Sequence, residues 1–225
     1  MIKAASSLFS DRRYLGEEIF YGGILLLAAS LPLSKFGMSL AQFFMAGGWL
    51  ISGNVSLKLK RVARQPIVWA LWLVFFVHIF SLTYTTDINE GLSDLRIKLP
   101  LLLLPLFFAS VQPLSGKRYR IVLAVLIVAT VISTLASLGY YLGILKANIN
   151  DIRDVSRFIS HIRLSLLVCF SFVGLIWFFR TEERNYLRIL QLAAMAWLLC
   201  FLILMESLTG LGILLAASLC FRCVR

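Results

Sequence analysis

Apolar residues recur along the chain in eight runs, at roughly 18–34, 37–54, 67–84, 98–111, 119–145, 160–179, 186–205 and 208–221. Several approach the roughly 20 residues that carry a helix across hydrocarbon. In lipid, backbone groups must be bonded within their own segment, so these runs predict helices. The pattern predicts an all-α fold, a polytopic transmembrane helical bundle of about eight membrane segments. The second, fourth and eighth are short and read as hairpin or partly interfacial pieces. Pro32, Pro100 and Pro105 should bend or interrupt their helices, because proline lacks an N–H and clashes with the preceding turn. "ILLLAASLPLS" has the look of a secretory signal. However, Glu17 and Glu18 flank it and a second apolar run follows, so it reads as a retained first span. Residues 1–225 form a single integral membrane domain in this reading.

Composition strengthens the picture. Of the 225 residues, 60% are hydrophobic, and the mean hydropathy is +0.89. A soluble domain is nearer half apolar. The net charge of +11 would point to nucleic acid in a soluble protein. Its distribution points to topology instead. With the N-terminus in the cytoplasm, the inner side carries Lys3, Arg12, Arg13, Lys58, Lys60, Arg61 and Arg64. It also carries Lys117, Arg118, Arg120, Arg180, Arg184, Arg188, Arg222 and Arg225. These are fifteen of the 22 basic residues, as the positive-inside rule asks. The four cysteines suggest no disulfide framework, and the lone CxxC of "CFRC" is a weak metal or redox signal.

The seven remaining basic residues, Lys35, Arg96, Lys98, Lys146, Arg153, Arg157 and Arg163, fall on the outer side. Topology opposes them there, so they need a local reason. In "DIRDVSRFISHIRLSLLVCF", a helix taken from about Ser156 places Arg157, Ser160, His161 and Arg163 on one broad polar arc. Guanidinium groups grip phosphate bidentately and stay charged. An arginine pair beside an apolar groove suits a diphosphate on a lipid tail. The competing reading pairs Arg153 and Arg157 with Asp151 and Asp154, and lets Arg163 snorkel to headgroups. His161 has a reference pKa that permits acid–base work. In "DLRIKLPLLLLPLFF", Arg96 and Lys98 precede a hairpin-like apolar segment on faces about 200° apart. They either anchor the interface or contribute to the same anionic site. In "LMESLTGLG", Glu206 interrupts an apolar run, and a carboxylate at such depth usually pairs or acts. Arg157, His161, Arg163, Glu206 and one of Arg96 and Lys98 are thus expected to converge on one outward-open pocket.

The order "LPLSKFGMSLAQFFMAGGWLISGN", "KLKR", "LRIKLPLLLLPLFF", "FISHIRLSLL" and "ESLTGLGILLA" resembles the O-antigen ligase/polymerase-like family, most of all members from the Bacteroidetes. The resemblance runs from about Gly16 to about Ala217. It implies a glycosyltransferase of the bacterial cytoplasmic membrane, moving a glycan from a polyprenyl-diphosphate carrier to lipid A core or another acceptor. It implies no nucleotide sugar, metal or other cofactor. Arg157, Arg163, Arg96 and Lys98 would bind the diphosphate, and His161 or Glu206 would activate the acceptor. Arg157 and Arg163 both fit the family's arginine ahead of the central helix. Two departures stand out. Leu208 occupies a position where the family often has arginine. The chain also ends at "CFRCVR", ahead of the family's long, histidine-bearing outer loop. The chain therefore resembles the N-terminal half to two-thirds of such a protein, with a separate chain as a possible source of the remainder. The rival class is a non-catalytic membrane protein, such as a half-transporter or a carrier of anionic lipids. Internal repeats or midplane charges would favour it. No repeat is evident, and the charges lie at the outer boundary.

Overall fold

The structure is a computed structural model. It describes the backbone of residues 2–85, 87–141, 160–205, 210 and 212, with the side chains of all but 2–10, 141 and 161. Every regular element among the described residues is helical: α1 (Ile2–Ser30), α2 (Lys35–Ile51), α3 (Val55–Ala63), α4 (Pro66–Ser81), α5 (Ile88–Lys98), α6 (Pro100–Ser110), α7 (Gly116–Tyr141), α8 (His161–Thr181) and α9 (Asn185–Leu204). A short 3-10 turn, Leu82–Tyr84, extends α4. Among the described residues, four stretches are long and apolar enough to cross a membrane: Pro66–Tyr84, Gly116–Tyr140, Ile162–Thr181 and Asn185–Leu204. The first seven predicted runs each fall on a helix. The eighth lies outside the described residues apart from Gly210 and Gly212.

The chain divides into two compact units, Met1–Gly23 with Gln42–Ser115, and Ile24–Ala41 with Gly116–Arg225. In the first unit, α1 and α2 meet backbone to backbone. A Cβ on Gly48 would lie 2.5 Å from Phe20 N and 2.7 Å from Gly16 O, and one on Gly16 would lie 2.4 Å from Ser52 N. Small residues permit such an approach between membrane helices. Gly53 and Asn54 then turn the chain through left-handed backbone (φ 67° and 54°) and end α2. Helices α4 and α6 run antiparallel, joined where Trp72 Nε1 donates to Leu102 O at 3.0 Å. Phe107 of α6 is buried, with its ring against Phe20 and Trp49.

In the second unit, α8 packs on α7 and α9. Leu123, Ile127, Leu164, Val168, Leu198 and Leu202 form the core. Three side-chain hydrogen bonds tie the unit's segments together. Ser171 Oγ donates to Thr130 Oγ1 (3.1 Å), Trp197 Nε1 to Thr134 Oγ1 (2.9 Å) and Ser133 Oγ to Pro32 O (2.8 Å). With no water in hydrocarbon to replace these partners, each bond specifies a register. At one end of the unit, the Arg120 guanidinium lies 5.5 Å from the Trp177 ring, and its Nη2 reaches Thr181 Oγ1 at 3.4 Å.

Three local expectations change. Helix α8 begins at His161, not near Ser156, because Ser160 has extended backbone (ψ 137°) and its carbonyl accepts the first helical bond, from Leu164 N. A continuous helical arc from Arg157 therefore does not pass through Ser160. The basic stretch 58–64, expected as part of an inner loop, is largely the short helix α3. It exposes Leu57 and Leu59 and buries Val62. The hairpin-like segment is one helix, α6. Pro100 sits at its first turn, where the missing N–H is harmless. Pro105 is tolerated inside it.

Candidate functional site

Helix α5 starts at Asp87, whose carboxylate accepts from the backbone N–H groups of Asn89 (2.9 Å) and Glu90 (3.2 Å). This N-cap orients the helix, and Asp94, Arg96 and Lys98 ride on its later turns. Asp94 and Lys98 are one turn apart and form an ion pair. Asp94 is exposed and Lys98 partly so, and the pair contributes little to stability.

Two concavities share Ile97, the residue before Lys98. The first is an open groove of about 1120 Å³ along α4 and α6, walled by Val68, Leu71, Leu101, Leu104 and Phe108. Lys98 lines one end of it, and Arg61 and Arg64 line it as well. Arg61 Nη1 reaches Ser110 O, at the C-terminal end of α6, at 3.4 Å. The eleven residues of α6 rise about 16 Å, so the arginines and Lys98 mark opposite ends. The second concavity is a polar cavity of about 460 Å³ between the end of α4 and α5. His78, Ser81, Thr85, Glu90, Ser93 and Asp94 line it. Ile97 lines both groove and cavity, and Asp94 lines the cavity while holding Lys98. An apolar channel, a cation and a hydroxyl-rich hollow thus follow one another.

His78 Nδ1 lies 2.8 Å from Val74 O. A carbonyl can only accept, so Nδ1 carries the proton and the neutral ring keeps its lone pair on Nε2. In that neutral form Nε2 can accept a hydrogen bond.

Lys58 is the other titratable group of note. Only 9% exposed, its ammonium donates to Trp49 O and to Ser52 Oγ (2.6 Å) and lies 4.8 Å from the Trp49 ring centre. Trp49 O belongs to the last turn of α2, where carbonyls lack helical partners. Trp49 Nε1 donates to Ser110 Oγ at 2.6 Å. Burial pushes the Lys58 pKa below its ordinary 10.5, and the Glu17 charge opposes that shift.

The residues singled out in the sequence distribute as follows. Lys98 lines the groove and Arg96 does not, in keeping with their separation on different helix faces. Both belong to the first unit. Arg163 is exposed on the first turn of α8, in the second unit. His161 opens α8, and its side chain lies outside the described residues, as do Arg157 and Glu206 altogether. His78, Arg61 and Arg64 carry site chemistry that the linear pattern did not single out. His78 is a lone ionisable group inside an apolar run, which was an available signal. The two arginines were absorbed by topology. Among the described residues, no three of His, Cys, Asp and Glu lie together as a metal site would need. No protein-family model matches this chain, and neither a curated protein nor a solved structure matches it.

Proposed function

We propose that the protein binds a polyprenyl-diphosphate-linked glycan at the outer face of a bacterial cytoplasmic membrane, as an O-antigen ligase-like membrane glycosyltransferase does. The observation that carries this reading is the placement of Lys98, which lies between an apolar groove and a cavity lined by hydroxyl, carboxylate and imidazole groups. The ligand has the same order of parts: hydrocarbon, diphosphate, sugar. The tail enters the groove between α4 and α6, the diphosphate meets Lys98 with Arg96 nearby on α5, and the first sugar reaches the cavity. When the bond from the anomeric carbon to the diphosphate breaks, negative charge grows on the leaving group, and fixed cations stabilise it. Arg157 and Arg163 are further diphosphate candidates, and His161 and Glu206 are candidates for acceptor activation, on the strength of the sequence resemblance.

Binding in lipid nanodiscs tests this. The chain should bind a polyprenyl diphosphate and not the uncharged polyprenol of equal length. Lys98→Gln should weaken binding by about tenfold, the scale of one lost charge-assisted hydrogen bond. Rising salt should weaken it in the wild type. Equal binding of the polyprenol and the diphosphate would overturn the reading.

A further inference from the structure

We propose that the opposite end of the α4/α6 groove binds an anionic phospholipid, whose phosphate is held by Arg61 and Arg64. The lipid takes the apolar walls that the glycan reading gives to the polyprenyl tail, so the two ligands compete for one groove, and this site stands if the glycan reading fails. It lies at the other end of the groove from Lys98, separated from it by the rise of α6, about 16 Å.

The cations are available. Arg61 lies in the last turn of α3 and Arg64 is its C-cap. Three residues apart in helical backbone, they share a face. Arg61 spends one weak contact on Ser110 O. The Arg64 guanidinium has no ion pair or hydrogen bond among the described residues. No carboxylate is among the described residues that line the groove. Two guanidinium groups at the mouth of a low-dielectric channel, with no acid to answer them, call for an anion.

The depth is that of a lipid headgroup. Trp69 Nε1 donates to Ala63 O at 3.1 Å, and its ring stands edge-on to Trp72 at 5.5 Å. Tryptophan is enriched where hydrocarbon meets headgroups. Helix α3 exposes Leu57 and Leu59 beside its lysines, as an interfacial helix does. One turn deeper, Val68, Leu71, Leu104 and Phe108 give the groove an apolar wall for an acyl chain. Gln65 and Gln112 line the same groove and can donate to phosphate or glycerol oxygens. A zwitterionic lipid would bring an ammonium that finds no carboxylate there, so charge complementarity selects the anionic lipid.

Native mass spectrometry of the full chain, with phosphatidylglycerol and phosphatidylcholine at equal concentration, tests this. One phosphatidylglycerol should be retained per chain, in preference to phosphatidylcholine. Arg61→Gln with Arg64→Gln should reduce that retention by about tenfold or more. Arg64→Gln alone should reduce it measurably, and it disturbs no contact described for the fold. Lys60→Gln, which removes a neighbouring charge that does not line the groove, should leave it unchanged. Glycerol phosphate should fail to displace the lipid, since the groove holds its tail. Equal retention of the two phospholipids, undiminished retention in the double variant, or displacement by glycerol phosphate would each overturn the proposal.

Discussion

Lys58 shows what one side chain does for the first unit. It joins α3 to the end of α2 by satisfying carbonyl and hydroxyl oxygens that would otherwise lie buried and partly unpaired. Replacing it with Met keeps the stem and deletes the donor. Relief of desolvation offsets part of the loss, so Lys58→Met should lower stability by only about 1–2 kcal/mol. Its pH signature is more specific. The folded-state pKa lies below the unfolded value of 10.5, so the unfolded chain holds more protons between the two. Stability should therefore rise with pH through that window. Denaturation followed from neutral pH to above 10.5 should show this rise in the wild type and lose it in Lys58→Met. An identical slope in both would assign the titration to another group.

At the scale of elements, two devices set the frame around the groove and cavity. The first is the glycine crossing of α1 and α2. Gly48→Ala drives a methyl into backbone at 2.5–2.7 Å, and overpacking of this kind costs about 1–3 kcal/mol. Gly47→Ala is the control, because a Cβ there meets nothing within 4 Å. It should be neutral, or stabilising by about 0.5–1 kcal/mol. Thermal denaturation in detergent separates the two, and equal destabilisation would deny the crossing its role. The second device is the Asp87 cap. Asp87→Ala should loosen α5 by about 1 kcal/mol and raise amide exchange at Asn89 and Glu90. Polyprenyl-diphosphate binding should fall with it, since Lys98 rides on that helix.

For the whole molecule, the question is which ends face which side. In the second unit, Lys117, Arg118, Arg120, Arg180, Arg184 and Arg188 belong to the start of α7, the end of α8 and the start of α9, while Arg163 stands at the other end of α8. Among the described residues of α7, α8 and α9, this asymmetry has the sense that the positive-inside rule asks for. In the first unit, Lys60 and Ser93 flank α4 on opposite sides. In a background without native cysteines, an impermeant thiol reagent applied from outside should label Ser93→Cys and not Lys60→Cys. The reverse result would invert the orientation and move Lys98 away from the outer face.

The sequence by itself determined the class, the places of seven apolar helices and the end at which basic residues collect. Hydropathy is a property of each segment against lipid, and its terms add residue by residue along the chain. It also singled out Lys98, because a cation opposed to the topology asks for a reason. Only the tertiary structure decided that Lys58 is buried and Leu57 and Leu59 exposed, against the usual preference. The partner that makes this favourable is the frayed end of another helix, nine residues away in sequence. It likewise decided that Arg61 and Lys98 line the same groove and that α8 starts at His161. Each depends on where a second backbone segment, or a single ψ angle, places a carbonyl. A one-dimensional pattern of polar and apolar positions holds no term for that.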